Sequence, residues 1–186
     1  MKNLQVDKEI RLAPLCMEHA LSIFQTIDSQ REYLGEWLPF VEYTKTPKDT
    51  EEYIKSVVEV PTEKKEHVYS IFYKEDFAGL IGTKETDQMN KHTEFGYWLS
   101  KPFQHKGIIS RSLQFLIHRA FNEWMLHRVV IKVAVGNKPS NRIPKRFGFL
   151  LEGIEREGAI MPDGSFLDLN VYSKIRTDWS LIFGIT

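Results

Sequence analysis

The sequence predicts one mixed α/β (α+β) domain over residues 1–186, and three observations support this fold class. Several short stretches alternate apolar and polar residues, which is the pattern of half-buried strands. Other stretches repeat apolar residues every three or four positions, as one face of a helix does. No internal repeat and no linker-like segment interrupts the chain. We therefore expect strands and helices to share a single domain.

The size and charge of the chain exclude some classes of partner. Its 186 residues, 42% of them hydrophobic and 27% charged, are enough for one domain with a full core. Since 25 basic residues balance 25 acidic ones, there is no overall field to attract nucleic acid or an anionic membrane. The N-terminal residues lack the apolar stretch of a signal peptide, and no later segment resembles a membrane-spanning helix. We expect a cytoplasmic protein with neither a nucleic-acid nor a membrane partner.

Metal ligation and thiol chemistry are not indicated by the sequence. Cys16 is the only cysteine, so it cannot form an intramolecular disulfide, and a small core side chain is favoured over a nucleophile. The six histidines have no paired metal-ligand spacing. We expect no metal.

The N-terminal part of the chain predicts a strand followed by helices. A first strand is expected over residues 9–15, and Pro14 closes it. A helical pattern starts at Met17, and a second short apolar segment follows over residues 33–40. Pro47 marks the start of another helix, because proline suits the first helical position and acidic residues follow in the first turn.

The next segment predicts an antiparallel meander. The lysine-rich residues before His67 are expected to form a solvated loop. Apolar runs at 68–73 and 77–83 predict a hairpin, since three charged residues join them. A polar turn around residues 87–90 then leads into a further strand at 93–99, whose aromatic content favours a buried, pleated surface.

A basic, glycine-bearing junction links this strand to a helix. Pro102 ends the strand because it has no N–H to donate, and from Ile109 to Trp124 the apolar residues follow one helix face. The junction therefore meets a helix N-terminus, where unpaired N–H groups attract an anion, and Gly107 lets the backbone come close. Cationic residues surround the same turn: Lys101, His105, Lys106 and Arg111. We interpret the junction as a pyrophosphate cradle; the alternative is an ordinary connection with solvated lysines.

A strand, a short helix and a hairpin complete the chain. Residues 129–135 alternate like a strand, and Ser140 is the expected N-cap of a short helix that ends near Phe147. Two further apolar runs flank Pro162-Asp163-Gly164, which is a turn signal for a closing hairpin. These runs span residues 149–160 and 166–175.

The junction also carries a recognisable pattern. Gln104-x-x-Gly107-x-Ile109, placed after a strand that ends Gly-Tyr-Trp-Leu, resembles the acetyl-CoA pyrophosphate loop of the GNAT N-acetyltransferase superfamily. The resemblance extends over residues 8–179 and includes three further segments: Asn137-Lys138-Pro139-Ser140-Asn141, Phe147-Gly148-Phe149 and Leu151-Glu152-Gly153. Within the superfamily the chain is most similar to the branch that acetylates the N-termini of ribosomal proteins, the RimL/RimJ group. Ile109 stands where many relatives have Gly or Ala.

The resemblance implies a GNAT fold with a central, mostly antiparallel, splayed sheet flanked by helices. In such proteins the pantetheine arm lies between two strands as if it were a third and bonds to the backbone of the first. The strands that correspond here are residues 94–99 and 128–135. The resemblance further implies acetyl-CoA as co-substrate and nine cofactor-binding residues: Trp98, Leu99, Gln104, His105, Lys106, Gly107, Ile108, Ile109 and Asn137.

Glu94 matches a strand glutamate that serves as general base in several GNAT enzymes. A strand rises roughly 3.3 Å per residue, so Glu94 is about 16 Å from Leu99, which is comparable with the length of the pantetheine arm. The alternative is a carboxylate that pairs with a neighbouring Lys or Arg on the sheet. Another acid of the ribosomal branch falls at Ala159 here, with Glu157 two residues earlier, so either Glu94, Glu157 or water is the expected base.

Ser140 is the second catalytic candidate that the resemblance implies. Many relatives protonate the leaving thiolate with a tyrosine, but Pro144 stands at that position. Ser140, which the ribosomal branch also carries, is then the candidate for hydrogen-bonding the coenzyme sulfur, while Asn137 holds the arm. The alternative is that Ser140 only caps the helix.

The expected reaction is transfer of acetyl from acetyl-CoA to a primary amine, with the N-terminal amine of a ribosomal or similar protein as acceptor. An α-amino group has a pKa of about 7.8 and a lysine of about 10.4, so freeing the amine at pH 7 costs roughly 1 and 4.6 kcal/mol respectively. A weakly equipped site therefore favours an N-terminal amine. A small amine acceptor and a non-catalytic acyl-CoA-binding module are the alternatives. The sequence does not determine whether the protein forms a homo-oligomer.

Early helices form one wall of the acceptor cleft in the superfamily. Four aromatic residues in the corresponding part of this chain are therefore candidates for an acceptor surface or, alternatively, for the core: Tyr33, Trp37, Phe40 and Tyr43.

Overall fold

The computed structural model describes residues 2–61 and 66–183, and within these ranges the chain forms eight strands and seven α-helices. The strands are β1 (Leu4–Gln5), β2 (Ile10–Pro14), β3 (Val68–Tyr73), β4 (Asp76–Asp87), β5 (His92–Leu99), β6 (Arg128–Ala134), β7 (Leu150–Ile160) and β8 (Phe166–Ile175). The helices are α1 (Ala20–Asp28), α2 (Arg31–Gly35), α3 (Phe40–Tyr43), α4 (Pro47–Val58), α5 (Ile108–Asn122), α6 (Lys138–Arg146) and α7 (Arg176–Phe183). The predicted lysine-rich loop falls largely on residues 62–65, which lie outside the described residues.

The chain divides into two compact units. The first comprises Met1–Gly82 and Tyr97–Ser112, and the second comprises Thr83–Gly96 and Leu113–Thr186. The strand order is β1-β2-β3-β4-β5 in the first unit and β4-β5-β6-β8-β7 in the second, because β4 and β5 run through both. In the first unit β1, β2, β3 and β4 pair antiparallel, whereas in the second β5 pairs parallel with β6. A single domain over residues 1–186 stays a prediction.

The first unit is built around a cluster of buried apolar side chains from its helices and strands. These are Leu15, Ala20, Ile23, Ile27, Leu34, Val41, Ile54, Val68, Leu80 and Trp98. Helix α4 begins at Pro47 as predicted, and Thr46 and Asp49 form a capping box that satisfies its first amide groups. The predicted β3–β4 hairpin is also confirmed, with Lys74 and Glu75 in the left-handed conformation at its turn.

Gly79 allows β4 to lie close to the end of β5. A Cβ atom at this position would lie 2.2 Å from the carbonyl oxygen of Trp98, a distance at which the backbone would have to move. Its φ of +155° is also one that residues with a side chain rarely adopt. The absence of a side chain at residue 79 thus permits the close approach of β4 to the end of β5.

In the second unit, helix α5 buries the apolar face that its spacing predicts. Five residues of this face are buried: Leu113, Leu116, Ile117, Ala120 and Phe121. The parallel ladder between β5 and β6 comprises three pairs within the described residues, from His92 with Arg128 to Glu94 with Val130. On its other side β6 pairs antiparallel with β8 over seven residues, and β7 and β8 form the predicted closing hairpin.

Three elements differ from the sequence-based expectations. Strand β1 was not predicted, since two residues are too few for a period to be visible. The second apolar segment, over residues 33–40, contributes to two short helices, α2 and α3, whose bounds were not predicted. Helix α7 was also not predicted. No helix in the described ranges is long and apolar enough to cross a lipid bilayer.

Candidate active site

The predicted pyrophosphate cradle is the turn between β5 and α5, residues 100–107, called here the Gly107 loop. The amide of Ser100 still donates to the carbonyl of Ala78 at 2.8 Å, and a single 3₁₀ turn follows over Lys101–Phe103. Gly107 has a φ of +69°, a left-handed conformation that only glycine adopts without strain. A Cβ there would meet nothing closer than an Arg111 nitrogen at 4.0 Å, so conformation and not crowding selects glycine.

Helix α5 begins directly after Gly107 and presents its first amide groups at the loop. Ile108 and Ile109 are buried, so any part they have in ligand binding is through their N–H groups and not their side chains. The first turn of the helix carries no acidic residue that would repel an anion. These two residues were predicted to bind the cofactor, and the structure restricts that prediction to their main chain.

Arg111 does not add free positive charge to the loop, in contrast to the sequence-based expectation. Its guanidinium group lies 2.7 Å from a carboxylate oxygen of Asp7 and 3.3 Å from one of Glu9. It also donates to the carbonyl of Lys106 at 3.0 Å. Because two carboxylates accompany its charge, Arg111 holds the loop in place more than it attracts a ligand.

The other cations remain around the turn. The Lys106 ammonium lies over the rings of Tyr73 and Phe103, 5.2 Å from each ring centroid. The Lys101 ammonium lies 5.9 Å from the ring centroid of Tyr33, and His105 is exposed. Cation–π contacts at exposed sites are weak, about 0.5–1 kcal/mol, so these side chains can turn towards a bound anion.

Two residues that are distant in sequence, Tyr33 and Gln30, contact the loop, and no local sequence pattern indicates either role. The side-chain amide of Gln104 donates to the hydroxyl of Tyr33 at 2.7 Å, and that hydroxyl donates to the carbonyl of Leu99 at 3.2 Å. Gln30 accepts from the amide of Lys101 and donates to the hydroxyl of Ser100, both at 2.8 Å. Tyr33, an acceptor-surface candidate, thus contacts the loop.

The end of β5 can offer a ligand mainly its backbone. The Trp98 side chain is only 9% exposed and packs edge-on against Phe77 in the core of the first unit, with ring centroids 5.9 Å apart. The carbonyl of Leu99 already accepts from Tyr33. Cofactor binding by Trp98 and Leu99 stays a prediction, and in the case of Trp98 it concerns main-chain groups.

Glu94 lies in the second unit and is engaged in ion pairs. Its side chain is 8% exposed, and its oxygens lie 2.9 Å from the Lys84 ammonium and 3.9 Å from that of Lys132. Lys132 also contacts Glu155 at 2.8 Å, and this hydrogen bond raises the pKa of Lys132. The ion pair that was considered as an alternative is therefore present, and the general-base role stays a prediction.

Asn137, and not Ser140, is the N-cap of helix α6. The Oδ1 atom of Asn137 accepts a hydrogen bond from the amide of Ser140 at 3.1 Å, which places Ser140 inside the first turn. The prediction of a Ser140 cap was wrong because Asn137 is also a favoured capping residue and Pro139 suits an early helical position. Pro144 lies within the helix, which continues to Arg146.

Asn141 is a buried residue to which the sequence assigned no role. Its amide group donates to the carbonyls of Ala134 and Asn137 at 2.9 and 2.8 Å. Its carbonyl oxygen accepts from Asn170 at 2.8 Å and from the Tyr172 hydroxyl at 2.9 Å. One side chain therefore joins β6, α6 and β8 and holds the start of α6 in position.

The remaining acid candidate lies on an irregular stretch of β7. Glu157 is exposed and adopts a left-handed conformation, with φ of +53°, where the pairing of β7 with β8 changes register. Its amide donates to a carboxylate oxygen of Asp168 at 2.8 Å. No group of three or more His, Cys, Asp or Glu side chains in the described part of the chain could hold a metal ion.

Comparison with known proteins identifies the family. Residues 9–150 match the model of the acetyltransferase (GNAT) domain. The chain belongs to the GNAT acetyltransferase family. It is 29% identical over 174 residues to the ribosomal-protein-serine acetyltransferase of Escherichia coli (strain K12), covering 94% of this chain and 97% of that protein. The predicted family and acyltransferase class are confirmed.

Two solved structures share the fold. One is the ribosomal L7/L12 α-N-protein acetyltransferase RimL in complex with coenzyme A, with a TM-score of 0.88 and 26% identity over 93% of this chain and 97% of that one. The other is the microcin C7 self-immunity acetyltransferase MccE in complex with acetyl-CoA and AMP, with a TM-score of 0.88 and 29% identity over 94% and 96%. The predicted GNAT fold of mixed α/β class is confirmed.

Proposed function

We propose that this acetyltransferase moves the acetyl group of acetyl-CoA to the N-terminal amine of a ribosomal or similar protein. The observation that carries the proposal is the Gly107 loop: a left-handed glycine, the N-terminus of helix α5 and two lysines lie together, as a pyrophosphate site requires. RimL and MccE, which share the fold, contain coenzyme A and acetyl-CoA respectively.

Two arguments support a protein N-terminus as the acceptor. The relatives that act on ribosomal proteins, including RimL with L7/L12, match nearly the full length of the chain. In addition, the one buried acid among the candidates, Glu94, is held in an ion pair with Lys84. Deprotonating an N-terminal amine at pH 7 costs only about 1 kcal/mol, so this acceptor does not require a strong base. A ribosomal acceptor would place the reaction in the cytoplasm.

A small-molecule amine is the second candidate acceptor. The similarity to MccE, a microcin self-immunity enzyme, favours it.

In the proposed reaction, the amine nitrogen attacks the thioester carbonyl and the carbon–sulfur bond breaks. Glu94 accepts the amine proton, directly or through a water molecule. The Ser140 hydroxyl donates a hydrogen bond to the thiolate that leaves, which lowers the barrier only to the extent that this bond is stronger in the transition state. Asn137 contributes to holding the pantetheine arm.

Ligand-dependent melting tests the first half of the proposal. Acetyl-CoA at about 100 times its dissociation constant should stabilise the protein by roughly 2.7 kcal/mol and raise Tm by several degrees. Gly107→Glu should abolish this shift, because it places bulk and negative charge at the phosphate site. Gly107→Ala is the matched control, since it carries the same left-handed strain without the charge, and it should retain more of the shift. Absence of a shift with wild type at millimolar acetyl-CoA would overturn the proposal.

Acceptor panels test the second half. Release of free coenzyme thiol in the presence of an amine reports transfer of the acetyl group. Peptides with free N-termini, the same peptides with blocked N-termini, and small amines then separate the acceptors. We expect release with the free peptides; release with small amines alone would favour the second candidate.

A further inference from the structure

We propose that Tyr33 and Gln30 are positioning residues that hold the Gly107 loop in its ligand-binding conformation before acetyl-CoA arrives. This inference rests on the proposed function, because it concerns how tightly the loop binds the cofactor's pyrophosphate. Neither residue belongs to the loop or to helix α5.

Gln30 holds the first residues of the loop. This residue follows α1, and its side-chain carbonyl accepts from the Lys101 amide while its NH₂ group donates to the Ser100 hydroxyl. Both bonds measure 2.8 Å, and Ser100 is buried. One side chain thus fixes the direction in which the chain leaves β5, with a donor and an acceptor used together.

Tyr33 joins the strand end to the middle of the loop. Its hydroxyl accepts from Gln104 at 2.7 Å and donates to the Leu99 carbonyl at 3.2 Å, so a single oxygen connects residues on both sides of the 3₁₀ turn. Burial raises the pKa of Tyr33, which keeps the hydroxyl protonated and able to donate throughout the neutral range. This contact uses one N–H of the Gln104 side chain, so Gln104 contributes to the conformation of the loop.

Preorganisation is the physical reason why these bonds matter for affinity. A free loop must lose conformational entropy when it binds a ligand, whereas a loop that is already ordered does not. The left-handed residues His105 and Gly107 lie one and three positions after Gln104, and they need a fixed starting direction to present the α5 amides correctly. Loss of a partly buried hydrogen-bond partner typically costs enough to change affinity by about tenfold.

The test compares two acetyl donors with the variant Tyr33→Phe. Acetyl-CoA carries the pyrophosphate, whereas S-acetylpantetheine has the same thioester without it. Tyr33→Phe should raise the Kd and KM for acetyl-CoA about tenfold and leave kcat at saturation nearly unchanged. With S-acetylpantetheine, kcat/KM should be the same for the variant and wild type. Tyr53→Phe, which removes a hydroxyl from helix α4, is the matched control and should change neither donor's kinetics.

A double-mutant cycle tests the bond itself. If Tyr33 acts through Gln104, then Tyr33→Phe combined with Gln104→Leu should weaken acetyl-CoA binding no more than the stronger single variant. Additive losses, or an equal loss of kcat/KM with both donors, would overturn the inference, because the hydroxyl would then serve the fold or the chemistry. If wild type and Tyr33→Phe bind acetyl-CoA equally well, the inference is refuted while the proposed function stands. If wild type does not bind acetyl-CoA, the proposed function itself is refuted.

Discussion

Glu94 is a nearly buried carboxylate with the Lys84 ammonium group at 2.9 Å, and this ion pair occupies an oxygen that would receive the amine proton in the proposed reaction. The Lys84 side chain is 56% exposed, however, so it can move into water without a large desolvation cost. Glu94 can therefore be released from its partner when a substrate amine approaches.

At the residue scale we predict that Glu94→Gln lowers kcat/KM for a peptide acceptor most strongly at low pH. The loss should shrink as the pH rises above about 8, where the α-amine is already free. Lys84→Gln is the control, since it breaks the same ion pair but keeps the carboxylate, and it should retain turnover. The measurement is the pH–rate profile of all three proteins. Equal, pH-independent losses in both variants would assign Glu94 to structure alone.

At the scale of elements, helix α6 is held at both ends by side chains that the sequence did not single out for this purpose. Asn137 caps the N-terminus. At the other end, the Lys174 ammonium donates to the carbonyls of Phe147 and Gly148 at 2.8 and 3.2 Å. Lys174 is only 1% exposed, and burial lowers its pKa. A cation at a helix C-terminus satisfies carbonyls that have no helical partner.

Asn137 is the N-cap of α6, whereas Ser140 is the proposed hydrogen-bond donor to the thiolate, so we predict that mutations can separate the two roles. Ser140→Ala should reduce kcat by about tenfold or more, a barrier increase of roughly 1.4 kcal/mol, and should spare both the N-cap and acetyl-CoA affinity. Asn137→Ala should cost about 1 kcal/mol of folding stability because the cap is lost, whereas Asn137→Asp should keep the cap. Urea unfolding and steady-state kinetics on the same samples measure both effects. Full turnover by the Ser140→Ala variant would contradict the proposed role, and water or another residue would then donate the hydrogen bond to the leaving thiolate.

At the scale of the whole molecule, acidic and basic residues are equal in number, so the dependence of folding stability on acid pH comes from particular ion pairs. Arg128 donates to both oxygens of Glu152, at 2.6 and 2.5 Å, and Ser173 donates to one of them at 2.7 Å. These hydrogen bonds lower the pKa of Glu152 from 4.5 to about 2. Because the pKa is depressed in the folded state, the stabilisation is fully present above pH 4.5 and is lost as the pH falls towards 2.

We therefore predict that Glu152→Gln lowers the free energy of unfolding at pH 7 and flattens its dependence on pH between 4.5 and 2. The side chain is 35% exposed, so water screens the pair and the loss should be smaller than that of a fully buried pair. Glu75→Gln serves as control, because that glutamate also pairs with an arginine but is 79% exposed. Urea titrations from pH 2 to 7 measure both variants. Parallel pH curves for wild type and Glu152→Gln would contradict the assignment.

The sequence by itself determined most elements, because a period of two or of 3.6 residues is visible within a short window. The start of α4 at Pro47, the hairpin turns and the apolar face of α5 all follow from such local patterns. The Gly107 loop was also predictable, since Pro102 ends the strand and a glycine at a helix start is a local signal. The family resemblance rested on the same local motifs.

Only the tertiary structure decided which side chains meet. Tyr33 and Gln104 are 71 positions apart, and Arg111 meets Asp7 across 104 positions, so no local pattern could reveal either contact. The same holds for the pairing of Glu94 with Lys84 and for the burial of Asn141 between β6, α6 and β8. Such contacts depend on strand register and on the direction of each side chain, which are set when the elements pack and not by the neighbours of a residue in the chain.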